Sequence, residues 1–397
     1  MTVASSPALA IRQGPEEAGP LRRAIVASPE PGSRRIWTAL RWTLAAALLA
    51  AAFATDRLTG NEASSSLYYV IAIAYAAWFL GRLAGLGLAA LCTLAWLVAY
   101  ELAGRPFSQP AILAWNLLAE LSIYAAMALA LGFLRDHVGK VRALADRLSE
   151  ANRQLDREAL AVGRLQRELL PVACPRIPGY EWSVHYETCT RAGGDYYDFT
   201  ALADGRIGIL VADASGHGAA AAVLMAMTRT LLHAVAEQAP APDRVLARLN
   251  REMGRLLPAG WFVTACYAVL DPPTGSLEYS LAGHSPPVVM RARTGSPEDL
   301  PAAGGPLLGP FPGVTYASAR TRLEPGDALV LYTDGLTEAE DAEGRLLGEE
   351  AVRSALGSVP GLEPGAILAR MLDRVARHRA GAAASDDLTL LILGREA

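Results

Sequence analysis

Residues Leu329 to Asp341 read LVLYTDGLTEAED, an apolar run that breaks at Asp334 into a polar turn. A short, continuous apolar run of this kind is typical of a strand that is buried on both faces. Three more stretches combine such a run with an aspartate at its end, namely RAGGDYYDF (191–199), LVADASGHG (210–218) and SDDLTLLIL (385–393). The aspartates of the four stretches therefore resemble the ligands of one metal centre.

The charge of these aspartates needs a partner. An unpaired buried carboxylate costs several kcal/mol or takes up a proton, and a hard divalent cation is the simplest compensation. Carboxylate and carbonyl oxygens suit magnesium or manganese, whereas zinc or copper call for histidine and cysteine. The chain has 4 Cys and 6 His, without a CxxC or HExxH motif. The sequence therefore predicts a magnesium or manganese site.

The composition indicates more than one kind of region. The chain has 397 residues, 52% of them hydrophobic, and a mean hydropathy of +0.23. Charge is nearly absent from long stretches between Ile36 and Leu134, whereas the chain after Arg135 resembles soluble protein. The net charge of -4 and the lack of a polybasic tract argue against nucleic acid as a partner. The scattered cysteines favour a reduced, cytoplasmic soluble region.

Residues 36–134 are predicted to form a four-helix transmembrane region, and residues 1–35 a disordered cytoplasmic tail. The predicted spans are 36–54, 67–81, 83–100 and 111–134, of which the second is short and the others are long enough to cross the hydrocarbon layer or nearly so. Arg82 between glycines predicts a tight turn, although one very long helix from Leu67 to Tyr100 is the alternative. Arginines and lysines flank the predicted cytoplasmic ends, so both termini are expected in the cytoplasm and the protein in the cell membrane.

An acid lies inside the last predicted span. Glu120 stands near the middle of that segment, where an ionisable group is costly and suggests function. A protonated or hydrogen-bonded glutamate that holds helices together is the alternative to a sensing role. The sequence leaves both interpretations open.

Residues 135–170 are predicted to form a coiled-coil, signalling helix. Apolar residues recur every seven positions at Leu134, Val141, Leu148, Leu155, Val162 and Leu169. A weaker companion seam lies four residues after these positions, at Val138, Ala145, Asn152, Ala159 and Gln166. Asn152 interrupts it, as in parallel two-stranded coiled coils where an asparagine fixes register. This pattern predicts a homodimer. One amphipathic helix that packs on its own catalytic domain is the alternative.

Residues 171–397 are predicted to form an α+β domain. Short turns join most of the apolar runs, which favours antiparallel hairpins. Helices are expected at 219–238, 242–256 and 364–379, on the outer faces of the sheets. The predicted strands are 181–187, 195–201, 206–213, 262–270, 277–281, 287–291, 328–333 and 388–393.

Five motifs in this region carry a resemblance to a known family. The strings GGDYYDF, VADASGHG, AGHSPP (282–287), YTDGLTEAED and SDDLTLL occur in this order. Together they resemble the SpoIIE/RsbU-type branch of the metal-dependent, 2C-type (PPM) protein serine/threonine phosphatases, over essentially all of residues 170–397. The resemblance implies a four-layer α-β-β-α sandwich with two metal ions, Mn²⁺ or Mg²⁺, at the edge of the central sheets.

The resemblance also implies unequal roles for the site residues. Asp213 is expected to bridge the two ions, and the backbone carbonyl of Ala214 to add a ligand. Asp195 is expected to bind one ion, with Asp334 and Asp386 completing the other. The two ions are expected to activate a water for attack on the phosphate.

Further residues carry weaker expectations. Asp387 is the alternative to its neighbour Asp386 as a ligand. His217 is a candidate proton donor to the leaving serine oxygen or a residue of the turn before a helix, and Arg191 a candidate phosphate-binding residue. Asp198 is a candidate for holding a metal-bound water, or a surface or turn acid. His284 is expected to shape a turn rather than to contact substrate.

These inferences combine into a functional prediction. The chain is expected to be a membrane-anchored phosphatase that removes phosphate from serine or threonine of a partner protein. The resemblance implies that this partner is a STAS-domain anti-anti-sigma factor. A catalytically weak, membrane-tethered scaffold that only holds partners is the alternative. A metal-dependent nuclease would use similar carboxylates, but a basic substrate groove is not evident in the sequence.

Overall fold

The computed structural model describes residues 31–59, 66–102, 110–236, 241–357 and 363–397. The chain divides into two compact units, Met1–Ser149 and Glu150–Ala397. Most of the predicted N-terminal tail, residues 1–30, lies outside the described residues.

The first unit is built from helices. They are α1 (Pro31–Thr59), α2 (Ser66–Phe79), α3 (Arg82–Leu102) and α4 (Pro110–Leu169), of which α4 continues into the second unit. The chain breaks between α2 and α3 at Gly81, whose φ of +107 is a conformation that side chains with a Cβ rarely adopt. The predicted tight turn at this point is therefore confirmed, and the single long helix from Leu67 to Tyr100 is wrong.

Small residues bring the helices of this unit close together. A Cβ on Gly85 would lie 2.8 Å from the Cβ of Ala77, so only glycine fits this contact between α3 and α2. The buried positions are mostly alanines, whereas large apolar side chains such as Trp37, Leu94 and Trp115 are exposed. Small residues inside and large apolar residues outside are the arrangement expected of helices that pack within lipid.

Four helices in the described part of the chain are long and apolar enough to cross a membrane by length and composition. Three of them are α1, α3 and α4, while the 14 residues of α2 form a shorter apolar helix. The fourth, Ala219–Ala236, belongs to the second unit and contributes Met225 and Leu232 to its core. It is therefore a core helix of that unit.

Two β-sheets and four further helices lie in the described residues of the second unit. The helices are α5 (Ala219–Ala236), α6 (Pro242–Leu256), α7 (Glu349–Leu356) and α8 (Pro364–Arg379), and a 3-10 turn covers Asp334–Leu336. The strands are β1 (Tyr180–Glu187), β2 (Tyr196–Ala201), β3 (Ile207–Ala214), β4 (Val263–Asp271), β5 (Ser276–Ala282), β6 (Val288–Arg291), β7 (Ser296–Asp299), β8 (Gly304–Gly305), β9 (Ala319–Arg322), β10 (Ala328–Tyr332) and β11 (Leu388–Arg395).

The strands pair almost entirely in antiparallel fashion. One sheet has the order β1-β11-β10-β6-β7, and the other has the order β2-β3-β4-β5-β8 with β9 also paired to β5. The short pairing of β5 with β8 is parallel. The α+β class predicted from the sequence is therefore confirmed.

Each central strand supplies side chains to two cores. In β10, Leu329 and Leu331 enter a core that lies between the sheets, together with Ile209 and Val211 of β3. Val330 instead enters a core with α7 and α8, while Leu210 of β3 enters a third core with α5 and α6. Burial on both faces explains the continuous apolar runs, and the layers are ordered helices, sheet, sheet, helices.

Candidate metal centre

Strand pairing brings the aspartate-bearing ends together. Tyr196 at the start of β2 pairs with Ala212 near the end of β3, which places Asp195 beside the residues that follow Ala212. In the other sheet, Tyr332 at the end of β10 pairs with Leu390 near the start of β11. In an antiparallel pair, the start of one strand lies beside the end of the other. Aspartates that are far apart in sequence but close to these strand ends therefore become neighbours.

Asp195 lies deepest in this group, with 1% of its surface exposed. Its Oδ2 accepts hydrogen bonds from the hydroxyls of Thr333, at 2.7 Å, and Thr389, at 2.6 Å. Burial raises the pKa of the Asp195 carboxyl well above its usual value, although the two hydroxyls oppose that rise. Both threonines come from the opposite sheet, so these hydrogen bonds connect the two sheets at the site.

Asp213 is surrounded by like charge. Its pKa is raised to about 9, first by burial and then by the negative charges of Asp195, Asp334, Asp386 and Asp387. Carboxylates that repel one another in a partly buried site are stable as anions only if positive charge joins them. This cluster of oxygen donors therefore suits Mg²⁺ or Mn²⁺, which prefer such ligands.

A further acid joins this group on the side of β10. The carboxylate oxygens of Asp334, Glu338 and Asp386 lie within 4.8 Å of one another. Burial, followed by the charges of Asp386 and Glu338, raises the pKa of Asp334 to about 6. Glu338 was missed in the sequence. The signal that could have identified it is its spacing, because a residue four positions after Asp334 returns to the same side of a helical turn.

The paired acids at the start of β11 have different environments. Asp387 is 3% exposed, and its two carboxylate oxygens accept backbone N–H groups from Cys189, at 2.8 Å, and Gly194, at 2.6 Å. Asp386 is half-buried and its pKa is raised, mainly by burial, while the nearby imidazole of His217 lowers it. Asp387 therefore holds the neighbouring loop, and the choice of Asp386 rather than Asp387 as the ligand stays a prediction.

The paired glycines allow that loop to approach the site. A Cβ on Gly193 would lie 2.1 Å from Oδ2 of Asp387, and a Cβ on Gly194 would lie 2.4 Å from the carbonyl oxygen of Ala214. Gly194 in turn accepts the backbone N–H of Ala214 at 3.2 Å. Glycine at both positions therefore keeps the Ala214 carbonyl and the Asp387 carboxylate against the loop.

The end of α4 holds the same loop. Gln166 is 3% exposed; its Nε2 donates to the Gly193 carbonyl at 2.8 Å, and its Oε1 accepts the Gly193 N–H at 2.9 Å. The same Nε2 lies 2.9 Å from the Tyr186 hydroxyl. The sequence placed Gln166 in the weaker seam of a coiled coil, and its role here was missed. At this end, α4 packs on its own catalytic unit.

Arg191 and His217 occupy the exposed rim. The Arg191 guanidinium lies 3.0 Å from the Asp156 carboxylate of α4, so its phosphate-binding role stays a prediction. His217 is exposed in the loop between β3 and α5, close enough to Asp386 to affect its pKa. That position is compatible with proton donation, which also stays a prediction.

Asp198 and His284 lie in networks of their own. Asp198 is buried and bonds to the Tyr196 hydroxyl and to His233 of α5, 2.7 Å away. His284 lies between the Thr264 hydroxyl, at 2.9 Å, and the Tyr332 carbonyl, at 3.1 Å. Burial lowers the pKa of His284 to about 4, so its ring is neutral and structural.

A family comparison gives this arrangement a context. The family model described as stage II sporulation protein E (SpoIIE) matches residues 203–396. Residues 203–396 therefore belong to the SpoIIE family. The matched range contains Asp213, Asp334 and Asp386, while Asp195 lies just before it.

Individual proteins similar to this SpoIIE-type chain come from several bacteria. Protein IcfG of Synechocystis is 24% identical over 61% of this chain and 42% of its own length. Phosphoserine phosphatase RsbU of Bacillus subtilis is 29% identical over 49% of this chain and 57% of its own length. The chain thus spans about half the length of these curated relatives.

A solved structure supports the fold. The SiaA-PP2C domain of Pseudomonas aeruginosa superposes with a TM-score of 0.54 and 20% identity, over 62% of this chain and 97% of that domain. The second unit therefore has the PP2C-type fold that the motifs imply.

Proposed function

We propose that the chain is a membrane-anchored, metal-dependent protein phosphatase that hydrolyses phosphoserine or phosphothreonine on a partner protein. The observation that carries the proposal is the group of carboxylates around Asp213, where burial and then the neighbouring negative charges raise the pKa of Asp213 to about 9. Such a site is unfavourable without bound cations and suits divalent ions. The name of its relative RsbU, a phosphoserine phosphatase, supports the choice of substrate.

The proposed ligands follow from the geometry and the family resemblance. Asp213 would be shared by the two ions, the Ala214 carbonyl would add a ligand, Asp195 would bind one ion, and Asp334 and Asp386 would bind the other. Glu338 lies within reach of that second pair. When bound, two divalent ions supply a water-derived nucleophile and neutralise the charge of the phosphate.

The residues of the chain prepare the site for this chemistry. Thr333 and Thr389 fix the orientation of Asp195 through its Oδ2. Asp387 holds the glycine loop through the N–H groups of Cys189 and Gly194. His217, at the open rim, is the group that would give a proton to the leaving serine oxygen.

The first unit is proposed to anchor the enzyme in the cell membrane. The length and composition of α1, α3 and α4 support membrane crossing, and the shorter α2 would complete a four-helix region. Arginines and lysines near Arg35, Arg82 and Arg135 support the placement of both termini in the cytoplasm. The catalytic unit would then also be cytoplasmic.

A homodimer through α4 is proposed as well. Val141, Leu148 and Leu155 lie every seven residues along this helix and are 54%, 61% and 63% exposed. A repeated apolar stripe on a long exposed helix is typically covered by a second helix. The family resemblance also supports a STAS-domain anti-anti-sigma factor as the phosphorylated partner.

Hydrolysis of p-nitrophenyl phosphate tests the enzymatic claim. Residues 150–397, the second compact unit, should release nitrophenol only with Mn²⁺ or Mg²⁺. Asp213→Asn should lower the rate at least about a hundredfold, because loss of a group that stabilises the transition state typically costs that much. Asp204→Asn, in an exposed turn, is the matched control. Equal rates for wild type and Asp213→Asn would favour the scaffold alternative.

A further inference from the structure

A basic groove lies between α7 and α8, on the outer side of the sheet that contains β10. Its volume is about 380 Å³. One wall, from α7, is formed by small residues, and the other wall, from α8, is formed by arginines. The lining residues are Ala351, Ser354, Ala355, Arg370, Arg374 and Arg377.

The three arginines share one face of α8. Their spacings of four and three residues place them in a row that is about 10 Å long, since a helix rises about 1.5 Å per residue. Arg370 and Arg374 are half-buried and Arg377 is exposed. Arg377 also contacts Asp373, one turn earlier on the same helix. None of the described residues that line the groove is acidic.

This concentration of positive charge contrasts with the net charge of -4 of the whole chain. Arginine forks bind carboxylates through paired hydrogen bonds. The small side chains of α7 leave room for the backbone of an occupant to approach closely. A helix with acids at positions i, i+4 and i+7 presents its carboxylates at the same spacing as the arginines.

We propose that this groove docks an acidic helix of the phosphorylated partner protein. The proposal rests on the proposed phosphatase function and adds a second contact, separate from the metal centre. The groove would raise the affinity for the correct partner without taking part in the chemical step. It would therefore distinguish a protein substrate from a small phosphate ester.

The position of α8 allows one partner to reach both places. The helix ends at Arg379, the chain turns at Ala380, and Asp386 follows six residues later. Arg379 lies 3.8 Å from Glu187 at the end of β1, which ties this end of α8 to the sheet edge.

The test compares two phosphoserine peptides with full-length protein in phosphatidylcholine nanodiscs. Both peptides carry the same phosphoserine segment and a helical arm, with glutamates at i, i+4 and i+7 in one and glutamines in the other. Wild type should hydrolyse the glutamate peptide with a kcat/KM about tenfold higher, equivalent to ~1.4 kcal/mol. Arg374→Glu should remove this preference through KM. Arg251→Glu, on the exposed side of α6, should keep it.

Two further measurements separate the possible failures. The rate with p-nitrophenyl phosphate should be unchanged in Arg374→Glu, which shows that the variant is folded. Binding of the fluorescent glutamate peptide, measured by anisotropy, should weaken in Arg374→Glu even if no substrate is hydrolysed. If wild type binds this peptide through Arg374 but does not hydrolyse it, the result counts against the phosphatase function and not against the docking proposal.

Equal binding of the two peptides by wild type would overturn the docking proposal. So would an equal loss of preference in Arg251→Glu, since that would indicate general charge rather than this groove. If Arg374→Glu weakened binding to nanodiscs with anionic lipid but did not weaken binding of the glutamate peptide, the groove would be assigned to the membrane surface. That result would also overturn the docking proposal.

Discussion

Replacement of Asp213 by asparagine should stabilise the metal-free catalytic unit. The pKa of Asp213 is raised to about 9 from an ordinary value of 3.8. The folded state therefore binds this proton more tightly than the unfolded state does. Between those two values, a rise in pH removes stability, because ionisation is favoured in the unfolded chain. Asparagine carries no charge, so the variant should lack this loss.

The expected magnitude follows from the same linkage. One proton gives a change of about 1.4 kcal/mol per pH unit in the free energy of unfolding. From pH 6 to pH 8, Asp213→Asn should therefore gain about 2.7 kcal/mol relative to wild type. For a unit of this size, each kcal/mol shifts the Tm by about 2–4 °C. The difference in Tm between the two proteins should grow by about 5–11 °C over this range.

Thermal unfolding of residues 150–397 in EDTA, at pH 6, 7 and 8, measures this effect. Asp204→Asn is the control, because Arg206 lowers the pKa of that exposed carboxyl and its titration falls below the tested range. Addition of Mn²⁺ should reverse the order and stabilise wild type more than Asp213→Asn, since bound ions favour the folded state. Parallel Tm curves for wild type and Asp213→Asn in EDTA would refute the account of clustered, repelling carboxylates.

Four other substitutions test separate parts of the structure. Asp386→Asn should abolish Mn²⁺-dependent hydrolysis with little change in Tm. Asp387→Asn should lower the free energy of unfolding by about 1–3 kcal/mol, because a buried N–H loses its acceptor. The opposite pattern would exchange the roles of the two aspartates. Asn152→Leu should change the oligomeric state measured by analytical ultracentrifugation, since a buried asparagine fixes coiled-coil register; an unchanged mass and activity would count against the dimer. Arg191→Ala should raise KM for p-nitrophenyl phosphate if the arginine binds phosphate; an unchanged KM would leave it only its contact with Asp156.

Strongly apolar elements could be predicted from the sequence. Helices α6 and α8 have the predicted bounds, and the central strands differ by a residue or two. Strands β7, β8 and β9 were missed because they are short and polar, and their pairing depends on neighbouring strands rather than on an apolar pattern. Helix α7 was missed for a related reason, since its sequence EEAVRSAL covers only two turns.

In the site, too, the residues next to apolar runs could be predicted and the others could not. Asp195, Asp213 and Asp334 were found because each adjoins an apolar run. Thr333 and Thr389 were missed because they lie 138 and 194 residues from Asp195 in the sequence. Their hydrogen bonds to Asp195 are visible only in the folded structure. Such partners have no local signal in one sequence.

The last members of the site were hidden by other patterns. Gln166 fitted the heptad pattern, which predicts contact with solvent or with a second helix. Its side chain instead donates a hydrogen bond to the backbone carbonyl of Gly193, 27 residues away. Asp386 and Asp387 are neighbours in sequence, and only their hydrogen bonds distinguish them. The sequence therefore predicts which charges gather, and the structure shows which of them bond to the neighbouring loop.

The most direct test of the central claim measures bound metal and catalysis in the same samples. Residues 150–397 would be stripped with EDTA and dialysed against Mn²⁺, then assayed for phosphate release from a phosphoserine peptide. Two ions per chain and metal-dependent release are expected for wild type, with fewer ions and at least about a hundredfold slower release for Asp213→Asn. Equal release by both proteins, or release by wild type without bound metal, would contradict the account.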